Sequence, residues 1–277
     1  MDQIFDLLHR PGNVHDSNGA AAFISLCIAR VREALGSQLK TLECRIDSAF
    51  YNDTVLWALD RLRTQFTCSV PFERLPALKT IIEQRQRWHR IDSEWSYFET
   101  DWTPKCWKDR YRLICLRRRR KVIIKGPLQL DLFEPRDYEF EYKVIATNKS
   151  GAAKNVLLFH NGRGSQEKIF GESKQHAALD YLPMRRRVGN QLYTLAGMLA
   201  HNLSRELQMS TAEPLRTTTA TRKSLWVFES LGTIRQRLLH TAGVLTRPQG
   251  ELTLTMNANK ALRADMTQYL KALQDPR

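Results

Sequence analysis

The fold class is indicated by residues 41–70, which read TLECRIDSAFYNDTVLWALDRLRTQFTCSV. Apolar residues alternate along residues 41–46, as in a strand with one buried face. After Asp53 they recur at helical spacing, which predicts a helix, and residues 65–70 predict a second strand that ends before Pro71. Strand, helix and strand in direct succession predict an α/β architecture.

On the amino-terminal side, residues 3–9 predict a further short strand, which ends at a turn formed by Arg-Pro-Gly-Asn at residues 10–13. Ser17 is expected to cap a helix that runs to about residue 35. These elements extend the succession to strand, helix, strand, helix, strand, as in an α/β domain.

On the carboxyl-terminal side, residues 87–147 are rich in Trp, Tyr and Arg, and their β-favouring runs predict an antiparallel β segment. Helical spacing returns after this segment. The later predicted elements are helices over 163–176, 188–207, 225–240 and 261–273, a polar linker over 210–224 and a pair of strands near 243–256.

The charge balance points to a polyanionic partner. Lysine and arginine number 43 against 29 aspartates and glutamates, which gives a net charge of +14 in 277 residues, and nucleic acid is the commonest partner of so basic a chain. Membrane headgroups are the rival, but no uninterrupted apolar run approaches the roughly 20 residues of a membrane span. The amino terminus lacks the pattern of a signal peptide. Five cysteines without a Cys-x-x-Cys pair indicate reduced thiols in a cytoplasm.

Residues 160–174 contain the densest group of candidate functional residues and read HNGRGSQEKIFGESK. On a helix, Arg163, Glu167 and Lys174 fall at i, i+4 and i+11, so that all three project from one face. A carboxylate between two cations suits a site that handles metal ions and phosphates. The alternative is a solvated helix face with salt bridges, which is the commoner fate of such a pattern.

A second candidate is Asp47, which follows the first strand of the 41–70 segment. Ligands and catalytic groups of open α/β sheets collect at the carboxyl ends of the strands. The alternative is an aspartate that only caps or stabilises a turn. Spacing alone does not establish whether Asp47 and Glu167 lie together.

Four ordered motifs resemble the DDE transposases of bacterial insertion sequences, within the thirteen-eighty group of the insertion-sequence-four superfamily. They are LHRPGNVHDS at residues 8–17, CRIDSAF at residues 44–50, Arg163-x3-Glu167-x6-Lys174, and SLGTIRQRLL at residues 230–239. The resemblance covers roughly residues 4 to 256.

The resemblance implies a mixed α/β (α+β) protein with an RNase H-like catalytic core that is incomplete at its N-terminal strands. It divides the chain into a partial RNase H-like core at 1–84, a β-rich insertion at 85–150, core helices with the glutamate motif at 151–209, and a linker with a C-terminal helical segment at 210–277.

By the same resemblance, Asp47 and Glu167 are expected to be catalytic and to bind Mg²⁺ or Mn²⁺ in a two-metal site. Arg163 and Lys174 are expected to contact DNA. So is His160, which occupies the position of a tyrosine in the family motif.

The first acidic residue of the family has no matching motif in this chain. In the family it lies on a core strand upstream of the Arg-Pro-Gly-Asn turn, and Asp2 and Asp6 lack its sequence context. The resemblance therefore implies an N-terminally truncated transposase, in which the metal site is incomplete and no strand cleavage by the chain alone is expected.

The predicted β segment adds a basic run and four tryptophans. The run is expected to face DNA, because consecutive arginines cannot all be buried; it consists of Arg117, Arg118, Arg119, Arg120 and Lys121. The tryptophans are Trp88, Trp95, Trp102 and Trp107. Resemblance to the wider superfamily implies that one of them could stack on an unpaired base, whereas the commoner role for such residues is core packing.

The leading hypothesis is a DNA transposase that cleaves and transfers strands at insertion-sequence ends. Its partner would be the double-stranded DNA of the terminal inverted repeats, with no membrane, and a homodimer is left open. The alternative is a non-catalytic basic DNA-binding protein or an inhibitor of an intact transposase, which the charge of +14 would serve equally well.

Overall fold

A computed structural model describes residues 2–15, 17–119, 140–162, 164–212, 226–257 and 259–274. The chain forms two compact units. We call Asn13–Arg163 the sheet unit, and Met1–Gly12 together with Gly164–Arg277 the helical unit.

The described residues of the sheet unit form six strands and four α-helices. The strands are β1 (Glu43–Ile46), β2 (Gln65–Ser69), β3 (His89–Arg90), β4 (Trp95–Thr100), β5 (Arg112–Arg119) and β6 (Phe140–Thr147). The helices are α1 (Ala20–Leu35), α2 (Asp53–Arg61), α3 (Pro76–Glu83) and α4 (Ala153–Asn161).

The six strands form one mixed sheet in the order β1-β2-β6-β5-β4-β3. Only β1 and β2 pair in parallel; the remaining pairs are antiparallel. The predicted mixed α/β class is therefore confirmed, as are the strand–helix–strand unit in residues 41–70 and the antiparallel β segment. The strands of that segment join β1 and β2 in a single sheet, because β6 pairs with β2.

Both faces of the sheet are covered, since successive strand residues point to opposite sides. In β2, Phe66 and Cys68 pack into a core shared with α1, α2 and α3. The opposite face packs against α4, whose Val156 and Leu157 contact residues of β5 and β6. A sheet buried on both faces leaves its strand ends as the accessible places for a ligand.

The helical unit is built around a long helix. Its helices are α5 (Gly164–His176), α6 (Arg187–Thr211), α7 (Leu231–Ile234), which continues into a π-helical turn over Arg235–Leu239, and α8 (Lys260–Gln274). A separate hairpin consists of β7 (Gly243–Thr246) and β8 (Thr253–Met256). The predicted helices over 163–176, 188–207 and 261–273 and the strand pair near 243–256 correspond to these elements.

The strand predicted over residues 3–9 was wrong. These residues are extended, but no strand in the described part of the chain pairs with them; amide side chains of α6 take the place of one. Asn202 accepts from the Ile4 N–H at 2.9 Å and donates to the Ile4 carbonyl at 2.7 Å. Gln191 donates to the carbonyl of Leu7 at 2.8 Å and accepts from the His9 N–H at 2.6 Å.

Two helix starts also differ from the prediction. α1 begins after Gly19, whose left-handed conformation (φ 73°) suits a residue without a side chain, and Ser17 instead hydrogen-bonds the His15 ring. The helix predicted from residue 225 begins at Leu231, because the Ser230 hydroxyl caps it by accepting from the N–H of Thr233.

Candidate functional site

Asp47 lies at the carboxyl end of β1, where the chain turns into a short 3-10 helix over Ser48–Phe50. One carboxylate oxygen accepts a hydrogen bond from the Ser48 N–H at 2.7 Å. The side chain is half-buried. Asp47 thus holds the turn in place, as the alternative interpretation predicted, and it also lines a cleft of the sheet unit.

This cleft has a volume of about 730 Å³ and lies at the edge of the sheet where the parallel strands β1 and β2 end. Its polar lining residues include Asp47, Ser48, Tyr51, Ser69, Glu73, Arg74, Tyr142 and Lys143. Carboxylates, hydroxyl groups and two cations therefore share one concave surface. Such a lining can hold a divalent cation through oxygen ligands and a phosphate through Arg74 and Lys143.

Glu73 and Arg74 were missed at the level of sequence, although a signal existed. They follow β2 and the turn at Pro71, and β2 is the parallel neighbour of β1. Because the carboxyl ends of parallel strands meet at one edge, residues after β2 belong beside Asp47.

Two uncharged side chains, Cys68 and Tyr51, lie near Asp47. The Cys68 thiol lies 3.6 Å from the Asp47 carbonyl oxygen. Burial, with the Asp47 carboxylate as a second cause, raises the pKa of Cys68 far above its ordinary value. Burial likewise raises the pKa of Tyr51. Both groups stay neutral at physiological pH, so that neither adds a negative charge beside the Asp47 carboxylate.

The expected metal ion can be compared with the kind and the number of possible ligands among the described residues. Hard cations such as Mg²⁺ prefer oxygen ligands, and the carboxylates and hydroxyls of the cleft are of that kind. Within the described ranges, however, no group of three or more His, Cys, Asp or Glu side chains lies close enough together to hold a metal ion. The cleft supplies two acidic side chains, Asp47 and Glu73.

His160 has a structural environment. It is 1% exposed, and its ring nitrogens lie 2.9 Å from the Ser69 hydroxyl and 3.0 Å from the Thr67 hydroxyl. The ring thereby fastens α4 to β2 directly behind the cleft. Such a buried ring does not face a DNA backbone, so we leave His160 out of the DNA-contacting surface proposed below.

Glu167 and Lys174 lie on α5 of the helical unit, seven residues and two turns apart on its solvent-exposed side. Ser173, on the other side of the helix, is fully buried and lies 3.3 Å from the His201 ring nitrogen. The shared exposed face predicted for Glu167 and Lys174 is therefore present. Arg163, the third member of the motif, lies outside the described residues.

A buried ion pair fixes the orientation of α5. Glu172 receives a 2.6 Å hydrogen bond from Arg205 of α6, and these side chains are 10% and 4% exposed. The second carboxylate oxygen of Glu172 accepts from the Leu231 N–H at 2.7 Å. One carboxylate thus joins α5 to α6 and to the start of α7. Neither partner was singled out from sequence, because the pairing spans distant positions.

Gly232 of the SLGTIRQRLL segment lies where there is no room for a side chain. A side chain at this position would collide with the His176 ring, since an added Cβ atom would lie within 2.4 Å of it. His176 ends α5, and its carbonyl accepts from Arg235 at 3.2 Å. The SLGTIRQRLL segment therefore packs against the carboxyl-terminal end of α5, the helix that carries Glu167.

Two arginines of β5, Arg117 and Arg118, contact other side chains of the sheet unit. Arg117 lies over the rings of Trp88 (4.5 Å) and Phe140 (4.6 Å). Arg118 lies over Trp95 at 5.1 Å and forms a 2.7 Å ion pair with Glu141. Such contacts hold an arginine by cation–π attraction. Among the run, Arg119 is exposed; Arg120 and Lys121 lie outside the described residues.

All four tryptophans of the segment pack against the cores of the sheet unit. Trp88, Trp102 and Trp107 contact the larger core and Trp95 the smaller one, each as a partly buried side chain. Core packing, the commoner of the two roles considered for them, accounts for this placement.

None of the five cysteines forms a disulfide. Within the described ranges, no helix is both long and apolar enough to cross a bilayer.

The sequence profile of one protein family, described as transposase DDE domain group 1, matches residues 2–277. Comparison with curated proteins found no match.

The Glu172–Arg205 pair generates a stability prediction. Replacing Arg205 by Met leaves the Glu172 carboxylate buried without its cation, which we expect to lower the free energy of unfolding by about 3–5 kcal/mol. The control is Arg237→Met in the same unit; Arg237 pairs with Glu229 but is 38% exposed, so its loss should cost less than about 1 kcal/mol. Urea denaturation measures both, and equal losses would contradict a special role for the buried pair.

Proposed function

Because the chain belongs to the transposase DDE domain group 1 family, we propose that it acts in metal-dependent cleavage and transfer of DNA strands at insertion-sequence ends. The observation that carries this proposal is the position of Asp47, at the carboxyl end of a parallel strand and in an oxygen-lined cleft. We further propose an RNase H-like core, membership of the thirteen-eighty group, and action on the inverted repeats of double-stranded DNA in the cytoplasm.

In this proposal Asp47 and Glu167 are two of the carboxylates that hold divalent metal. Bound cations would activate the attacking oxygen and stabilise the leaving oxygen of the phosphodiester. The chain's own cations have the complementary task. Arg74 and Lys143 in the cleft and Lys174 on α5 would hold backbone phosphates and neutralise their charge.

The matched motifs provide no third carboxylate. We therefore propose that this chain by itself binds DNA and one divalent ion, and that cleavage needs a further acidic group. The alternative function, a non-catalytic DNA-binding protein that inhibits an intact transposase, is favoured by the same absence together with the net charge of +14.

A cleavage assay with insertion-sequence-end DNA and Mg²⁺ or Mn²⁺ separates these readings. We expect no cleavage by the chain alone, since the matched motifs supply two carboxylates, Asp47 and Glu167, and Glu73 of the cleft belongs to none of these motifs. Robust cleavage that Asp47→Asn abolishes would show that the third acid lies within the 277 residues and would rule out the inhibitor. If an intact transposase is inhibited by added chain, and Asp47→Asn inhibits equally well, the non-catalytic function is supported.

Shared metal binding by Asp47 and Glu167 has a direct test. We expect Asp47→Asn and Glu167→Gln each to weaken Mn²⁺ binding by at least about tenfold, and the double variant to weaken it little further, because residues that act on one ion are not additive. Titration calorimetry measures the affinity. Glu83→Gln, on the exposed side of α3 and paired with Lys79, is the control. Additive effects of the two substitutions would mean that Asp47 and Glu167 serve separate sites.

Phosphate contact by Lys174 makes a different prediction. The logarithm of the DNA-binding constant should fall with the logarithm of salt concentration, and Lys174→Ala should reduce the magnitude of that slope by about 1. Lys271→Ala removes the same charge from an exposed position of α8 and should leave the slope unchanged. Equal changes in the two variants would indicate a general charge effect and contradict a contact at Lys174.

A further inference from the structure

The long helix α6 turns its polar side inward and an apolar side outward. Five polar residues are less than a tenth exposed: Asn190, His201, Ser204, Arg205 and Gln208. On the opposite side, four aliphatic residues are mostly exposed: Val188 (77%), Leu192 (69%), Leu199 (56%) and Leu203 (58%). At 100° per residue these four fall within one narrow stripe. We call them the α6 stripe.

The hydrogen bonds of the buried side hold the helix in this orientation. Arg205 binds Glu172 and the Glu229 carbonyl, Gln208 accepts from the Glu229 N–H at 2.8 Å, and His201 contacts the Asp2 carbonyl at 3.0 Å. Rolling the helix to bury the aliphatic side would break all of these bonds, each buried group then losing its partner. The described residues of the helical unit therefore leave the α6 stripe exposed to water or to a partner.

The spacing of the stripe is self-complementary. Leu192 and Leu199 are one heptad apart, and Val188 and Leu203 lie four residues beyond them on either side. An antiparallel copy of the same helix can thus place Val188 opposite Leu203 and Leu192 opposite Leu199 in a single register. Apolar seams with heptad spacing are the pattern by which two helices interlock side chains. Ala196, small and exposed at the midpoint, allows the helices to approach closely.

The charges at the two ends of α6 select the antiparallel direction. Three consecutive arginines, Arg185, Arg186 and Arg187, stand at its amino-terminal end, and Glu206 continues the stripe at its carboxyl-terminal end. Antiparallel pairing brings the arginines of one copy towards the partner's Glu206, whereas parallel pairing would gather six arginines at one end. We propose that two copies of this chain associate through antiparallel pairing of their α6 stripes, with two-fold symmetry. This proposal does not depend on the proposed function.

The oligomeric state of the full chain, measured without DNA by sedimentation equilibrium, tests the proposal. We expect a dimer that Leu192→Lys with Leu199→Lys weakens by at least about tenfold, because two buried cations per copy would meet an apolar seam. The matched control is Leu270→Lys with Leu273→Lys, two leucines of α8 that are 54% and 64% exposed; it should leave the dimer intact. A monomeric native chain, a dimer that the α6 variant retains, or equal loss in the control would overturn the proposal.

Disulfide trapping gives a second measurement that does not rely on a disruptive variant. Under mild oxidation, Ala196→Cys lies near the two-fold axis and should yield a cross-linked dimer, while the native chain with its five cysteines serves as the control. Val188→Cys should not cross-link to itself, because its antiparallel neighbour is Leu203. Cross-linking of Val188→Cys but not of Ala196→Cys would overturn the antiparallel arrangement.

Discussion

The parallel pairing of β1 with β2 is the constraint on which the candidate site depends. Pairing from Glu43 with Gln65 through Ile46 with Cys68 brings the two carboxyl ends to one edge of the sheet. Asp47 leaves β1 there and Ser69 ends β2, so that both line the same cleft. An antiparallel pair would have sent these ends to opposite edges. The buried His160 behind β2 then fixes the strand from its second face.

The helical unit is held together by a different kind of interaction. Its best-buried groups include an ion pair and several polar side chains rather than aliphatic ones alone, and each is tied to a defined partner. Buried polar networks tolerate few alternative arrangements, because a shifted helix leaves a group unsatisfied. Such a network gives α5 one orientation, in which Glu167 and Lys174 face outward while Ser173 faces α6.

Local sequence patterns predicted the secondary structure that depends on neighbouring residues. The strand–helix–strand unit of residues 41–70 follows from its apolar spacing. Contacts between residues that are distant in the sequence could not be predicted in this way. Residues 3–9 were predicted as a short strand, but amide side chains of α6, distant in the sequence, take the place of a neighbouring strand. Arg117 and Arg118 read as solvent-facing cations, yet tryptophans that precede them in the chain lie beneath them. His160 sits in a motif position that suggests chemistry, and only the fold reveals two hydroxyl partners.

The extended amino-terminal segment has a consequence for how this chain can change in evolution. Gln191 and Asn202 are three turns apart on a rigid helix, a spacing of about 16 Å, and they grip main-chain atoms near both ends of a stretch that covers a similar length when extended. The helix therefore fixes the number of residues that the extended segment can have between the two sites of contact. Substitutions at the outward-facing Phe5 and Leu8 leave these hydrogen bonds intact. Insertion or deletion of a single residue between the two sites of contact would break the hydrogen bonds of either Gln191 or Asn202.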